Sequence, residues 1–121
     1  MAVYSDFNEK YRQRTKKFAI SIVLLYVNHC KKSEELRVLG KQLLRSGTSV
    51  AANFRAFTRG RSDAEKFSKL CIVVEEADET QFWIELIEES MLIDKAVLND
   101  IQSEITELTK IFTVTKNNFK K

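Results

Sequence analysis

The sequence of 121 residues contains no proline and only three glycines. Chains built from β-strands need frequent turns, and turns draw heavily on these two residue types. The scarcity of these turn-forming residues favours long helices over a β-sandwich or a β-barrel. The length fits one domain with one core, which we place over residues 1–121.

Histidine and cysteine are almost as scarce, with one and two copies. A di-iron site in a helical bundle needs Glu-x-x-His on two helices, which a lone His29 does not provide. No base stands beside a nucleophile, and neither a P-loop nor a Gly-x-Ser-x-Gly motif occurs. We expect no catalytic residues, no metal and no cofactor. Cys30 and Cys71 fall on apolar stretches, which predicts buried free thiols in a reducing, cytoplasmic setting.

A long hydrophobic run is also missing. The apolar segment FAISIVLLYV, residues 18–27, is too short to cross a bilayer. The following letters NHCKKS contain no small-residue cleavage site, which argues against a secretory signal. The segment is therefore predicted to be a buried helix, with no membrane as partner.

What remains is helical periodicity, which predicts four segments at about 6–30, 34–59, 62–90 and 94–116. Ser33 and Ser62 are expected N-caps, and Ser62 forms a capping box with Glu65. The tail KNNFKK, residues 116–121, is expected to fray. Short connections make neighbouring helices antiparallel, so the predicted fold is all-α, an up-down-up-down antiparallel four-helix bundle.

The second segment is amphipathic despite its glycines. At about 100° per residue, five cations share one arc of the helix: Arg37, Lys41, Arg45, Arg55 and Arg59. The apolar residues lie opposite: Leu39, Leu43, Val50, Phe54 and Phe57. Gly40 and Gly47 each cost roughly 1 kcal/mol of helix propensity. We expect that close approach of a neighbouring helix offsets this cost.

The third segment carries apolar residues on two sides. One side is the predicted core face, with Phe67, Leu70, Cys71, Val74 and Ala77. The other is predicted to face a neighbouring subunit, with Ile72, Glu75, Glu79, Trp83 and Leu86. Asp78 and Glu85 fall close to the core side, where buried carboxylates would need cationic partners.

Charge is divided unevenly along the chain. Residues 10–69 contain 15 Lys and Arg against 4 Asp and Glu, whereas residues 70–109 contain 1 against 11. The stripe on the second segment, extended by Arg61, suits phosphate backbones without base reading. The alternative is that this basic face docks on the acidic half of the next copy, a heterologous contact that closes into a ring or grows into a filament. Composition alone leaves both interpretations open.

Three stretches carry a resemblance to a known family: QLLRSGTSVAANFRA at 42–56, SDAEKF at 62–67 and EEADETQFWIELIEES at 75–90. They resemble the bacterial four-helix-bundle proteins encoded in intervening sequences of 23S ribosomal RNA genes. That family includes the accessory protein of diversity-generating retroelements. The likeness spans nearly the whole chain and is strongest from about residue 39 to residue 90.

The resemblance implies a bundle that assembles into a ring, typically a pentamer, and a basic surface that binds RNA or DNA. It implies no enzyme activity. The accessory protein also contacts a reverse transcriptase, so the resemblance suggests a protein partner of this kind. Family members often carry Glu where this chain has Ala56, and that change makes the stretch around Arg55 more basic.

Overall fold

The computed structural model describes residues 2–119, and their side chains from residue 6 onward. This part of the chain forms four helices and no strand: α1 Ala2–His29, α2 Glu34–Thr58, α3 Asp63–Glu89 and α4 Lys95–Asn118. The all-α prediction is confirmed. The helix bounds agree with the predicted segments to within a few residues, because caps mark most of the ends.

The predicted N-caps are present. Ser33 Oγ accepts a hydrogen bond from Leu36 N at 3.1 Å, and Ser62 Oγ accepts one from Glu65 N at 3.1 Å. Glu65 Oε1 in turn accepts from the backbone N of Arg61 at 2.6 Å, so the capping box closes one residue earlier than usual. These caps satisfy amide groups that the first turn of a helix leaves without partners.

The helices pack in chain order around one core. α1 contacts α2, α2 contacts α3, and α3 contacts α4, while the contact between α4 and α1 is much the smallest. α1 and α3 are therefore diagonal to each other, as are α2 and α4. Short loops between neighbours make the topology up-down-up-down.

The core face of α3 differs from the predicted one. Its buried residues are Leu70, Val73, Ala77, Thr80, Ile84 and Ile87, a 3-4-3-4-3 spacing typical of a bundle seam. Phe67, Cys71 and Val74 are only half-buried. The predicted core face was wrong by a rotation about the axis of α3. The cause is Thr80, a polar residue that interrupts the apolar pattern at a fully buried position.

Close approach of α1 explains the two glycines inside α2. A Cβ atom on Gly40 would lie 2.7 Å from the Cβ of Cys30, and one on Gly47 would lie 2.9 Å from Cγ1 of Ile22. Both distances are shorter than carbon atoms tolerate. The predicted offset for the glycines is confirmed as tight packing between α1 and α2.

Aromatic rings fill one end of the bundle. Tyr11 contacts Phe112 with ring centroids 5.7 Å apart, and Phe54 stacks on Phe112 at 5.1 Å. Phe119 lies 5.9 Å from Phe57 and 6.3 Å from Phe67. The predicted fraying is therefore wrong for residues 116–119, because Phe119 anchors the end of α4. Residues 120 and 121 lie outside the described residues.

The turn from α3 to α4 ends the helix in a Schellman motif. Met91 N donates to the Glu88 carbonyl at 2.9 Å, and Leu92 N donates to that of Ile87 at 3.1 Å. Met91 adopts a φ of 58° and is 88% exposed. This position usually favours glycine. No helix in residues 2–119 has a stretch both long and apolar enough to traverse a lipid bilayer.

Candidate nucleic-acid interface

The five cations predicted to share an arc of α2 are all exposed. The buried residues of the helix lie on its opposite side: Leu36, Gly40, Leu43, Ser46, Gly47, Val50, Phe54 and Phe57. A continuous helix from Glu34 to Thr58 thus separates a charged outer face from the core. The structure places four of these cations on one side of α2, and the fifth, Arg59, is the C-cap residue at its end.

Arg45, at the centre of this stripe, is bound within the chain. Its Nη1 atom lies 3.2 Å from Glu76 Oε1, and its Nη2 atom pairs with Glu79. Trp83 Nε1 donates a hydrogen bond of 2.9 Å to the same Glu79 carboxylate. The indole hydrogen bond, followed by the Arg45 guanidinium, lowers the pKa of Glu79. The charge of Arg45 is therefore largely neutralised by α3.

Apart from Arg45, the cations of this face form two clusters. Arg37 and Lys41 lie near the start of α2, and Arg55, Arg59 and Arg61 lie near or just beyond its end. Arg37, near the start of α2, donates to the Lys31 carbonyl at 2.7 Å and lies 3.6 Å from Glu34. Beyond the end of α2, Arg61 lies 3.7 Å from Glu65 and its side chain is 90% exposed.

The remaining cations of the stripe have no carboxylate partner among the described residues: Lys41, Arg55 and Arg59. All three are exposed. Exposed cations that the chain itself does not neutralise are available to an external anion. Lys41 belongs to the first cluster, and Arg55 and Arg59 belong to the second.

The cations of α1 contribute less than their number suggests. Arg14 clamps α1 to α4, with Nε 2.7 Å from Glu104 Oε2 and Nη2 2.6 Å from Glu107 Oε1. The hydrogen bond to Glu104 is the main cause of a raised pKa for Arg14. Arg12 pairs with Glu9 one turn before it. Lys16 and Lys17 are exposed, and neither has an ion pair in residues 6–119.

The residues predicted to face a neighbouring subunit occupy different surroundings. Glu79 and Trp83 lie at the α2–α3 boundary, where they bind Arg45 and each other. Ile72 and Leu86 are half-buried, whereas Glu75 is exposed.

The carboxylates that the sequence placed near the core of α3 are in fact at the surface. Asp78 and Glu85 are both exposed. No buried cationic partner is required for them. Together with Glu75 they belong to an acidic outer surface of α3.

Sequence reasoning missed an apolar surface on α1. Ile20, Val23, Leu24 and Val27 are 51%, 42%, 53% and 52% exposed. The run FAISIVLLYV is apolar on every side of a helix, and a helix of this kind has a second face to cover. That signal was present in the sequence, but the run was predicted to be a buried helix, which is wrong for these four exposed residues.

The two thiols are free, with Cys30 buried and Cys71 half-buried. Burial raises the pKa of the Cys30 thiol, which keeps it in the unreactive neutral form. In residues 2–119 no three His, Cys, Asp or Glu side chains come together in a way that could hold a metal ion.

The fold and this surface define a small up-down four-helix-bundle protein with a charged outer helix. The chain belongs to the family of 23S rRNA-intervening sequence proteins, whose family model matches residues 8–114. A crystal structure from Bacteroides thetaiotaomicron is similar to it, a protein of unknown function from the S23 ribosomal protein family. The two sequences are 32% identical, with a TM-score of 0.80 over 92% of this chain and 98% of that chain. No curated protein matches this chain.

Proposed function

We propose that this protein is a non-enzymatic, cytoplasmic homo-oligomer that binds RNA or DNA through the outer face of α2. The observation that carries the proposal is the set of exposed, unneutralised cations Lys41, Arg55 and Arg59 on one arc of that helix. Arg37 and Arg61 flank them. Arg45 contributes when a phosphate competes with Glu76 and Glu79 for its guanidinium.

The geometry of the face suits a phosphate backbone. Lys41 and Arg55 are separated by about 21 Å along the axis, at roughly 1.5 Å per residue of helix. Duplex DNA presents about one phosphate charge per 1.7 Å of its axis, so both clusters meet phosphates at once. Contacts of this kind fix position and carry no base sequence directly. Binding with little sequence specificity follows.

The names of the related proteins support a link with nucleic acid. The family is named for an intervening sequence of 23S rRNA, and the Bacteroides protein is assigned to a ribosomal protein family. Both names connect relatives of this chain with ribosomal RNA or ribosomal proteins. The proposal extends that connection to a physical contact with nucleic acid.

Assembly into a homo-oligomer, with the pentamer suggested by the resemblance, is the second part of the proposal. The outer surface of α3 is the proposed contact, with Glu75 exposed and Ile72 and Leu86 half-buried at its edge. Glu79 and Trp83 support this surface from the α2 side. Oligomerisation repeats the basic face, which strengthens binding because linked sites act at high effective concentration.

Binding to short RNA and DNA duplexes across a salt series tests the proposal, with light scattering after size exclusion in parallel. The logarithm of affinity is expected to fall with the logarithm of salt, by about 0.9 for each phosphate contacted on duplex DNA. The double variant Arg55→Glu/Arg59→Glu is expected to lose binding at least 100-fold while its oligomer persists.

A matched control changes the same charge elsewhere. Lys95 and Lys110 are exposed lysines on α4, and Lys95→Glu/Lys110→Glu alters net charge equally. This variant is expected to retain most of the affinity. If wild-type protein shows no binding at low salt and its oligomer dissociates as salt rises, the basic face instead serves assembly, as in the adaptor alternative.

A further inference from the structure

The outer side of α1 is apolar over two helical turns. Ile20, Val23, Leu24 and Val27 recur at i, i+3, i+4 and i+7, and each is 42–53% exposed; we call these four residues the α1 stripe. The core residues Phe18, Ile22 and Leu25 lie on the opposite side of the same helix. Contiguous apolar patches of this kind on a small protein usually mark an interface.

The charged residues that flank the α1 stripe along the chain are all positive. The sequence has no acidic residue between Glu9 and Glu34. Lys16 and Lys17 lie before the stripe, Lys31 and Lys32 lie after it, and all four are exposed. A partner of the stripe therefore needs an apolar centre with carboxylates around it.

The outer side of α3 has these features. Phe82 is 51% exposed, and its ring lies 5.0 Å from that of Trp83. Exposed carboxylates share this side of the helix: Glu75, Asp78, Glu85 and Glu89. None of the four has an ion pair within residues 6–119. We call Phe82 and these four carboxylates the α3 acidic face.

The two surfaces of one molecule do not meet each other. α1 and α3 are diagonal in the bundle, so their outer sides point away from each other. One copy therefore offers a basic apolar surface on one side and an acidic aromatic surface on the other. Only a second copy brings the two into contact.

We propose that the α1 stripe of one copy packs against the α3 acidic face of the next. This inference rests on the homo-oligomer part of the proposed function and assigns the two surfaces that form its contact. Apolar side chains cover Phe82, while the flanking lysines face the α3 carboxylates. Val23 and Leu24 form the centre of the stripe in this arrangement.

Pairing of two α1 stripes is disfavoured by charge. An antiparallel α1–α1 contact would place Lys16 and Lys17 beside Lys31 and Lys32 of the other copy. Like charges placed across an interface disfavour the contact. The α1–α3 contact has no such repulsion, and it is heterologous, so it propagates from copy to copy.

Charge insertion at each surface tests the contact. Leu24→Glu should repel the α3 carboxylates, and Phe82→Lys should repel the α1 lysines. Each variant alone is expected to elute as a monomer of 14.0 kDa by size exclusion with light scattering. Both positions are exposed, and circular dichroism checks that each variant is still helical.

Mixing the two variants gives the sharper result. Each retains one intact surface, so a heterologous contact joins the two variants in a 1:1 ratio. The two substituted surfaces carry opposite charges, so they do not repel each other in the mixed assembly. Val114→Glu, at another half-exposed apolar residue on α4, is the matched control and should leave the oligomer unchanged. If Leu24→Glu fails to fold, Val23→Gln/Leu24→Gln takes its place.

The outcomes separate this inference from the proposed function. A wild-type protein that is monomeric at all concentrations overturns the homo-oligomer and this inference together. A wild-type oligomer that survives both substitutions overturns only the α1–α3 contact. If only one of the two substitutions gives a monomer, the contact joins two identical surfaces, which also overturns the α1–α3 contact. Monomeric variants that do not combine when mixed overturn it as well.

Discussion

The two sides of α2 hold its neighbours by different means. Towards α1, Gly40 and Gly47 let the helices approach until a single added carbon would clash with Cys30 or Ile22. Towards α3, polar groups take part: Thr80 Oγ1 lies 3.0 Å from Ser46 Oγ in the buried interior.

Farther out on the α3 side, Arg45 reaches Glu76 and Glu79 near the surface. The first side of α2 therefore depends on shape, and the second depends on hydrogen bonds and charge. This difference explains which cations of α2 remain available, because only the side that carries acids can neutralise them.

The largest expected effect breaks the apolar side. Gly40→Leu forces side-chain atoms against Cys30 and Tyr26, and overpacking of this kind costs about 2–3 kcal/mol even after the gain in helix propensity. Urea unfolding should show the loss as a lower midpoint with an unchanged slope. Ala52→Leu, at an exposed position of α2, is the control and should change stability little. Equal effects of the two substitutions would show that close packing at Gly40 is not limiting.

An intermediate effect is expected on the buried polar contact. Thr80→Val keeps the shape of the side chain but removes the contact with Ser46 Oγ, which retains only its long hydrogen bond of 3.4 Å to the Leu43 carbonyl. We expect this loss to cost about 1–2 kcal/mol. Adding Ser46→Ala should recover part of this loss, because both polar groups are then absent. Thermal or urea unfolding of the two single variants and the double variant measures the coupling. Strictly additive losses would contradict a direct interaction.

The smallest expected effect concerns the surface ion pair. Arg45 and Glu79 side chains are 50% and 35% exposed, so Arg45→Met should cost less than about 1 kcal/mol and less still in high salt. The pKa of Glu79 is lowered on folding. Its contribution to the free energy of unfolding is therefore complete above the ordinary glutamate pKa of about 4.3. It is lost as pH falls through the lower folded-state pKa.

The difference in unfolding free energy between wild type and Arg45→Met should therefore shrink as the pH falls below the ordinary carboxyl pKa, because Glu79 then gains its proton. Lys41→Met is the control, since Lys41 is exposed and without a carboxylate partner. A difference that persists undiminished in acid would show that Arg45 acts through packing of its aliphatic stem.

The backbone of this protein was predictable because local signals agree. Ser33 and Ser62 cap helices as expected, and the arc of cations on α2 follows from spacing alone. The need for a close neighbour at Gly40 and Gly47 also followed from helix propensity. Each of these features depends on residues close in sequence.

Features that depend on tertiary contacts were not predictable in the same way. Phe119 was assigned to a fraying tail, yet Phe57 and Phe67, far away in sequence, hold it in place. Thr80 was omitted from the core because a threonine gives no apolar signal, and its hydrogen bond makes burial tolerable. The ion pair between Glu79 and Arg45 was not predicted, because Arg45 lies on another helix.

The clamp formed by Arg14 has a consequence for how the molecule opens. α1 and α4 share the smallest contact of the bundle, and Arg14 joins them by hydrogen bonds to Glu104 and Glu107 at its partly exposed edge. Protein segments open locally where few buried contacts oppose separation. Amide hydrogens along this seam are therefore expected to exchange with solvent before those between α2 and α3, so that the first and last helices part while the central pair stays closed.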